Sequence, residues 1–214
     1  AIPFHKLGYK VDFWYGGTPG WDNISRLALA QGFDDFYGYP DFHAPKTNSW
    51  GTNDRNLFNA LAAHLDGEEP TVHLIMTPSN HPPYNIDLEA EGYDVAKAEQ
   101  QLREILPDEH DPHNLAVELG HYYYMDKVAT EFIRETEKKY PDSLFVITGD
   151  HAARSNPGAH PTLLEFQSIP FVMYGAGITP DILPAGAVGG QTGIVPTLVE
   201  LIAPAGFAYA SVAP

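Results

Sequence analysis

An aspartate and a histidine stand side by side after an apolar segment, and together they could bind a divalent metal. Residues 144–148 read LFVIT, which is typical of a buried β-strand, and Gly149, Asp150 and His151 follow directly. Carboxylate oxygen and imidazole nitrogen suit Mn²⁺, Mg²⁺ or Zn²⁺. We therefore predict that Asp150 and His151 are metal ligands, and that further ligands come from elsewhere. A hydrogen-bonded loop pair is the alternative for such a dipeptide.

A second polar segment follows another apolar run. Residues 71–77 read TVHLIMT, and PSNH comes directly after them at positions 78–81. The carboxyl ends of parallel strands meet at one sheet edge, where ligands commonly bind, so the two polar segments could share one crevice. His81 could hydrogen-bond a phosphate or sulfate oxygen there. The alternative is a loop histidine packed beside Pro82 and Pro83.

The elements around these residues alternate between strand and helix patterns. Strands are predicted at 9–15, 71–77, 144–148 and 169–174, and helices at 23–31, 54–65, 114–139 and 194–202. Asp22 is placed to cap the first of these helices. Such alternation favours a three-layer α/β/α fold with a mainly parallel sheet.

Composition narrows the classes of function. The chain has 214 residues, 43% of them hydrophobic, which fits one globular domain. Its net charge of -16 repels nucleic acid and anionic membrane surfaces. An anionic substrate would need a local cation, which a metal could supply. The absence of cysteine excludes thiol catalysis, disulfides and cysteine-type zinc sites.

Longer motifs around the Asp-His pair resemble a known superfamily. Residues 122–154, YYYMDKVATEFIRETEKKYPDSLFVITGDHAAR, resemble the stretch of the sulfatase domain where a Tyr-x-x-x-Asp helix leads to a strand and Gly-Asp-His. The likeness continues through SIP at 168–170 and QTGIVPTL at 191–198. In the alkaline phosphatase/sulfatase superfamily the Asp and His of this motif bind the catalytic metal. The resemblance therefore implies the same role for Asp150 and His151.

Upstream motifs are similar to one branch of that superfamily, the lipoteichoic acid synthase-like phosphoglycerol transferases. They are FWYGG (13–17), QGFDDFYG (31–38), WGTND (50–54) and TPSNHPPY (77–84). The resemblance implies an alkaline-phosphatase-like fold and a divalent ion, with Mn²⁺ favoured over Mg²⁺, Zn²⁺ or Ca²⁺. It also implies a phosphate or sulfate ester substrate, such as a lipid head group, and a membrane-anchored enzyme on the extracytoplasmic face.

The same resemblance suggests substrate contacts. His81 matches a substrate-contacting histidine, and the loop containing Asp22 and Asn23 matches the head-group segment. Independently of the resemblance, His160 lies nine residues after His151 and could contact substrate or metal, although a solvated histidine is the alternative. The branch typically has Phe-Trp-Asn-Arg in that loop, whereas this chain has Trp21 followed by Asp22, Asn23 and an isoleucine, so the gripping arginine is missing. QTG at 191–193 offers no second-metal ligand, which favours a single-metal site.

No catalytic nucleophile can be assigned. The superfamily uses a Thr, Ser or modified Cys near the start of the domain, after a strand that ends in an acidic metal ligand. Neither has a matching segment here. Residues 1–214 are therefore expected to form a partial catalytic domain that is inactive alone and needs the upstream half of the domain. A sulfatase and an inactive domain that binds polyanions are the alternatives to a phosphoglycerol-type transferase.

Overall fold

The structure is a computed structural model that describes residues 1–106, 111–152, 160–184 and 186–211. Three strands form a parallel sheet: β1 (Lys10–Tyr15) lies between β2 (Asp35–Gly38) and β3 (Thr71–Met76). The strands β4 (Leu144–Thr148) and β5 (Phe171–Gly175) form a separate antiparallel pair. The helices are α1 (Ile2–Lys6), α2 (Ile24–Ala30), α3 (Asp54–His64), α4 (Val95–Arg103), α5 (Pro112–Lys139), α6 (Leu163–Gln167) and α7 (Ile194–Ile202).

Helices cover both faces of the parallel sheet because β1 is apolar on each side. Val11 and Phe13 pack on one face against α1, α2 and α7. On the other face Trp14 packs against Leu57 and Leu61 of α3, and α3 in turn packs against α5. Burying such side chains contributes about 1.5–3 kcal/mol each. The predicted three-layer α/β/α arrangement is confirmed.

Strands β4 and β5 differ from the sequence-based prediction. We predicted that LFVIT is a buried strand of a mainly parallel sheet, but β4 pairs antiparallel with β5, and its apolar residues are only half-buried. Strand periodicity cannot distinguish a parallel from an antiparallel partner, because both alternate side chains with the same period of two. Val172 and Tyr174 of β5 are also exposed.

The start of α2 also differs from the prediction. Asp22 does not cap the helix: it lies in a short 3-10 turn with φ of 47°, and Asn23, at φ of 57°, is the residue before Ile24. Asp and Asn tolerate this left-handed region better than most residues do. In the described part of the chain, no helix is both long and apolar enough to cross a bilayer.

Candidate active site

The turn after β3 presents His81 to solvent beside an aromatic ring. The His81 and Trp50 rings meet edge to face with centroids 4.7 Å apart, and the Trp50 indole Nε1–H donates to the Pro82 carbonyl over 2.7 Å. His81 Nδ1 lies 2.7 Å from the same carbonyl. Because a carbonyl only accepts, Nδ1 carries the proton and Nε2 keeps a lone pair. His81 would therefore have to be protonated to donate from Nε2 to a phosphate oxygen.

Close backbone contacts join the loop after β1 to the loop before α3, from which Trp50 reaches the His81 turn. Thr52 N–H donates to the Gly16 carbonyl over 2.9 Å, and Gly17 forms an isolated bridge with Gly51. A Cβ on Gly51 would lie 2.2 Å from the Gly16 oxygen, so only glycine allows this approach. The PSNH turn follows β3 at the carboxyl end of the parallel sheet, but Asp150 and His151 follow β4 of the separate antiparallel pair, so the two segments do not lie at one edge of a single parallel sheet as we expected.

The loop containing Asp22 and Asn23 lies near this turn through Trp21. The Trp21 ring is 6.0 Å from the Trp50 ring and 6.0 Å from the Tyr15 ring, measured between centroids. Asp22 and Asn23 are exposed. Tyr15, Trp21, Trp50 and His81 thus form an aromatic cluster in which Tyr15 is buried, and Asp22 and Asn23 directly follow Trp21 in the chain.

A buried polar pair underlies the turn. Ser79 N–H donates to Asp54 Oδ1 over 3.0 Å, and Asp54 N–H donates to Ser79 Oγ over 2.9 Å. Asp54 is 0% exposed and Ser79 is 4% exposed. Burial is the main cause that raises the pKa of Asp54 from 3.8 to about 6, and the bonds from Ser79 oppose that shift. Burying a carboxylate lowers stability unless hydrogen bonds compensate for its lost hydration. The bonds with Ser79 compensate only part of that cost for Asp54, as its raised pKa indicates.

In the hydrogen bonds found among the described residues, the Asp150–His151 pair uses only one oxygen of the carboxylate and one nitrogen of the ring. Asp150 Oδ1 accepts the His151 N–H over 2.9 Å, and His151 Nδ1 lies 2.7 Å from the Ala152 carbonyl. The ring proton is therefore on Nδ1, which leaves the Nε2 lone pair for a ligand. His151 Nε2 and Asp150 Oδ2 are 3.9 Å apart, and both side chains are mainly exposed. A small rotation of either side chain would let both atoms approach one ion.

Gln191 supports the backbone of this pair from the turn before α7. Its Nε2 donates to the Asp150 carbonyl over 2.5 Å and to the Gly149 carbonyl over 3.2 Å. From the sequence, the QTG segment was of interest only because it offers no ligand for a second metal. In the structure, Gln191 instead holds the loop that carries the predicted metal ligands.

The donor set fits a divalent ion but does not complete a site. One carboxylate oxygen and one imidazole nitrogen are ligands of the right kinds for Mn²⁺, Mg²⁺ or Zn²⁺. Within the described ranges, no three His, Asp, Glu or Cys side chains gather closely enough to hold a metal ion. The contacts found for Asp150 and His151 are with each other, Ala152 and Gln191, and none of them reaches the His81 turn. His160 is exposed, and residues 153–159 between it and the pair lie outside the described ranges.

Two features of this site were missed from sequence. Trp50 was quoted only within WGTND, and nothing in its position predicted that it packs on His81. Asp54 begins α3, and an acidic residue in the first turn of a helix is ordinarily a solvated partner of the helix dipole. Its complete burial depends on the turn from β3, which is distant in sequence.

Comparisons with known proteins agree with this architecture. The sequence model of the sulfatase family matches residues 3–203. A structure of an alkaline phosphatase superfamily protein from Vibrio parahaemolyticus is 28% identical, with a TM-score of 0.60 over 84% of this chain and 42% of that one. The lipoteichoic acid synthase LtaP from Listeria monocytogenes is 20% identical, with a TM-score of 0.62 over 83% of this chain and 46% of that one.

A third structure is the phosphoglycerol transferase GacH from Streptococcus pyogenes in complex with sn-glycerol-1-phosphate. It is 16% identical, with a TM-score of 0.55 over 79% of this chain and 44% of that one. The chain therefore spans less than half the length of these three proteins. The two matches below 25% identity show the fold, and the family match extends over nearly the whole chain. The chain belongs to the sulfatase family.

Proposed function

We propose that this chain is part of the catalytic domain of a metal-dependent phosphoryl-group transferase of the phosphoglycerol type. The observation that carries the proposal is that Asp150 Oδ2 and His151 Nε2 lie 3.9 Å apart just after β4. The hydrogen bonds described above are made by the other atom of each group, Asp150 Oδ1 and His151 Nδ1. The fold it shares with LtaP and GacH supports the proposal.

Asp150 and His151 would hold one divalent ion, with Mn²⁺ favoured, together with ligands from another part of the domain. When bound, such an ion lowers the pKa of a coordinated nucleophile and offsets negative charge on the group being transferred. Gln191 would keep the Asp150 backbone in place during this process.

Trp21, Trp50 and His81, the members of the aromatic cluster that reach the surface, would contact the rest of the ester. His81 would donate Nε2–H to a non-bridging oxygen of the ester. Asp22, Asn23 and His160 are proposed as further substrate contacts. The phosphoglycerol substrate is proposed because the chain shares its fold with GacH, whose structure is a complex with sn-glycerol-1-phosphate.

The uncovered strands support the proposal that these residues form a partial domain. β3 is the last strand of the parallel sheet, and its Leu74 is 47% exposed. The four apolar residues of β4, 144–147, are only half-buried. Apolar strands of α/β sheets are normally covered on both faces. We propose that the other half of the domain packs here and brings the nucleophile and an acidic ligand, within a membrane-anchored, extracytoplasmic enzyme.

The complete protein should be assayed with a phosphoglycerol ester and with an aryl sulfate in the presence of Mn²⁺. We expect hydrolysis or transfer of the phosphoglycerol group, loss of turnover on removal of the metal, and at least a hundredfold loss in Asp150→Ala, which is on the order reported for losing a main catalytic electrostatic group. The 214-residue chain alone should show no turnover. A dominant sulfate ester activity would favour a sulfatase, and no metal binding in the complete protein would favour an inactive polyanion-binding domain.

A further inference from the structure

Two backbone–side-chain hydrogen bonds join the start of α3 to the turn that carries His81. Asp54 and Ser79 each donate a backbone N–H to the other's side chain, at 2.9 and 3.0 Å, and both are buried. Their positions are 25 residues apart in sequence. A reciprocal pair of this kind fixes both the separation and the relative orientation of the two backbones.

The two joined segments carry the two rings that meet at the candidate site. Trp50 lies four residues before Asp54, and His81 lies two residues after Ser79. The rings are in edge-to-face contact, and the indole also bonds the Pro82 carbonyl. Any rotation of the Asn80–His81 turn about β3 would therefore have to break the Asp54–Ser79 bonds.

We propose that Asp54 is a positioning residue that, through Ser79, holds His81 against Trp50 in the orientation needed for substrate. The importance of this orientation for substrate binding rests on the proposed function. The structural role of Asp54, which is to hold His81 against Trp50, does not. Asp54 Oδ2 is buried and has no hydrogen-bond partner among the described residues. We call the two hydrogen bonds between Asp54 and Ser79 the clamp. Of the two carboxylate oxygens, only Oδ1 takes part in it. Asparagine keeps one side-chain oxygen, so it should substitute for Asp54.

The chemistry of the pair predicts different outcomes for closely related substitutions. Asp54→Asn keeps the oxygen that accepts from Ser79. Asp54→Ala removes it, and Ser79→Ala removes the acceptor for the Asp54 N–H while changing very little volume. Leu61→Ala is a matched control, because Leu61 is 1% exposed on the same helix and packs in the core around Trp14. It should lower stability without touching the clamp.

The first test uses the complete protein and does not depend on any activity. NMR spectra would follow the Trp50 indole N–H and the His81 ring protons. We expect Ser79→Ala and Asp54→Ala to shift or broaden both sets of signals, and Asp54→Asn and Leu61→Ala to leave both near their wild-type positions. Unchanged signals in Ser79→Ala, or equal changes in Leu61→Ala, would overturn the positioning role. Ser79→Ala keeps the test valid if Asp54→Ala does not fold.

The second test uses the complete enzyme and its phosphoglycerol ester substrate. Misplacement of a substrate-contacting group by about 1 Å can cost on the order of a hundredfold in rate, so we expect a ten- to hundredfold fall in kcat/KM for Ser79→Ala. Asp54→Asn should keep kcat/KM within about threefold of wild type, because the remaining side-chain oxygen can still accept the hydrogen bond from the Ser79 N–H. A wild-type kcat/KM in Ser79→Ala together with shifted NMR signals would refute the proposed role of His81 while leaving the clamp intact.

Discussion

His73 offers a measurable link between burial and stability. It lies on β3, its side chain is 17% exposed, and its Nδ1 accepts a hydrogen bond from Trp14 Nε1 over 3.2 Å. Burial lowers the pKa of His73 from 6.5 to about 4, and the charges of His64 and Lys10 act in the same direction. Protonation of Nδ1 would also remove the lone pair that accepts from Trp14.

The direction in which His73 changes the unfolding free energy depends on whether the folded or the unfolded chain is protonated at the higher pH. Since the pKa of His73 is lower in the folded chain, the unfolded chain is protonated first as the pH falls below about 6.5. Each pH unit then costs about 1.4 kcal/mol of unfolding free energy, which amounts to about 3 kcal/mol by pH 4. Between about pH 7 and pH 5 the expected loss is about 2 kcal/mol.

Urea unfolding of wild type and His73→Asn would measure this loss. Asparagine places Oδ1 where the Nδ1 acceptor lies, so it can keep the Trp14 bond without titrating. We expect the loss of stability between about pH 7 and pH 5 to be about 2 kcal/mol smaller in His73→Asn. His81→Asn, which replaces an exposed histidine, is the control. Equal acid sensitivity of wild type and His73→Asn would refute this reasoning.

Three further outcomes are expected. Leu57→Ala should lower the unfolding free energy by about 2–5 kcal/mol in urea titrations, because Leu57 is 0% exposed, whereas the same change at half-exposed Leu119 should cost far less. Asp54→Asn should make the chain more sensitive to acid between about pH 6 and pH 4, since the raised pKa of Asp54 makes the folded chain bind its proton first and so offsets part of the loss that His73 causes; equal pH dependence in Asp54→Asn and wild type would contradict this. Gln191→Ala should weaken the Mn²⁺ affinity of the complete protein on the order of tenfold, measured by calorimetry, because Gln191 supports the loop that carries the metal ligands. An unchanged affinity would show that its bonds to the Gly149 and Asp150 carbonyls do not support the site.

Local patterns in the sequence were sufficient for the main elements of the fold. The helix starting near Asp54 and the strand at 71–77 are observed as α3 and β3, because each has a clear apolar period and a recognisable start. Asn53 caps α3 through a bond to the Asn56 N–H. The three-layer architecture followed from the alternation of such elements.

Features that depend on contacts between distant segments could not be predicted in the same way. The pairing of β4 with β5, the burial of Asp54 beneath Ser79, and the packing of Trp50 on His81 all join residues far apart in sequence. Asp22 illustrates a local error: an aspartate before a helix was expected to cap it, but its left-handed backbone conformation prevents that role. The assignment of Asp150 and His151 as metal ligands stays a prediction.

The most direct test of the central proposal is anomalous scattering from Mn²⁺ in crystals of the complete protein. We predict one peak within about 2.0–2.3 Å of both Asp150 Oδ2 and His151 Nε2, in line with ordinary metal–ligand distances, and no such peak in Asp150→Ala. A wild-type peak elsewhere, or none at a saturating concentration of Mn²⁺, would contradict the assignment of this pair as the metal site.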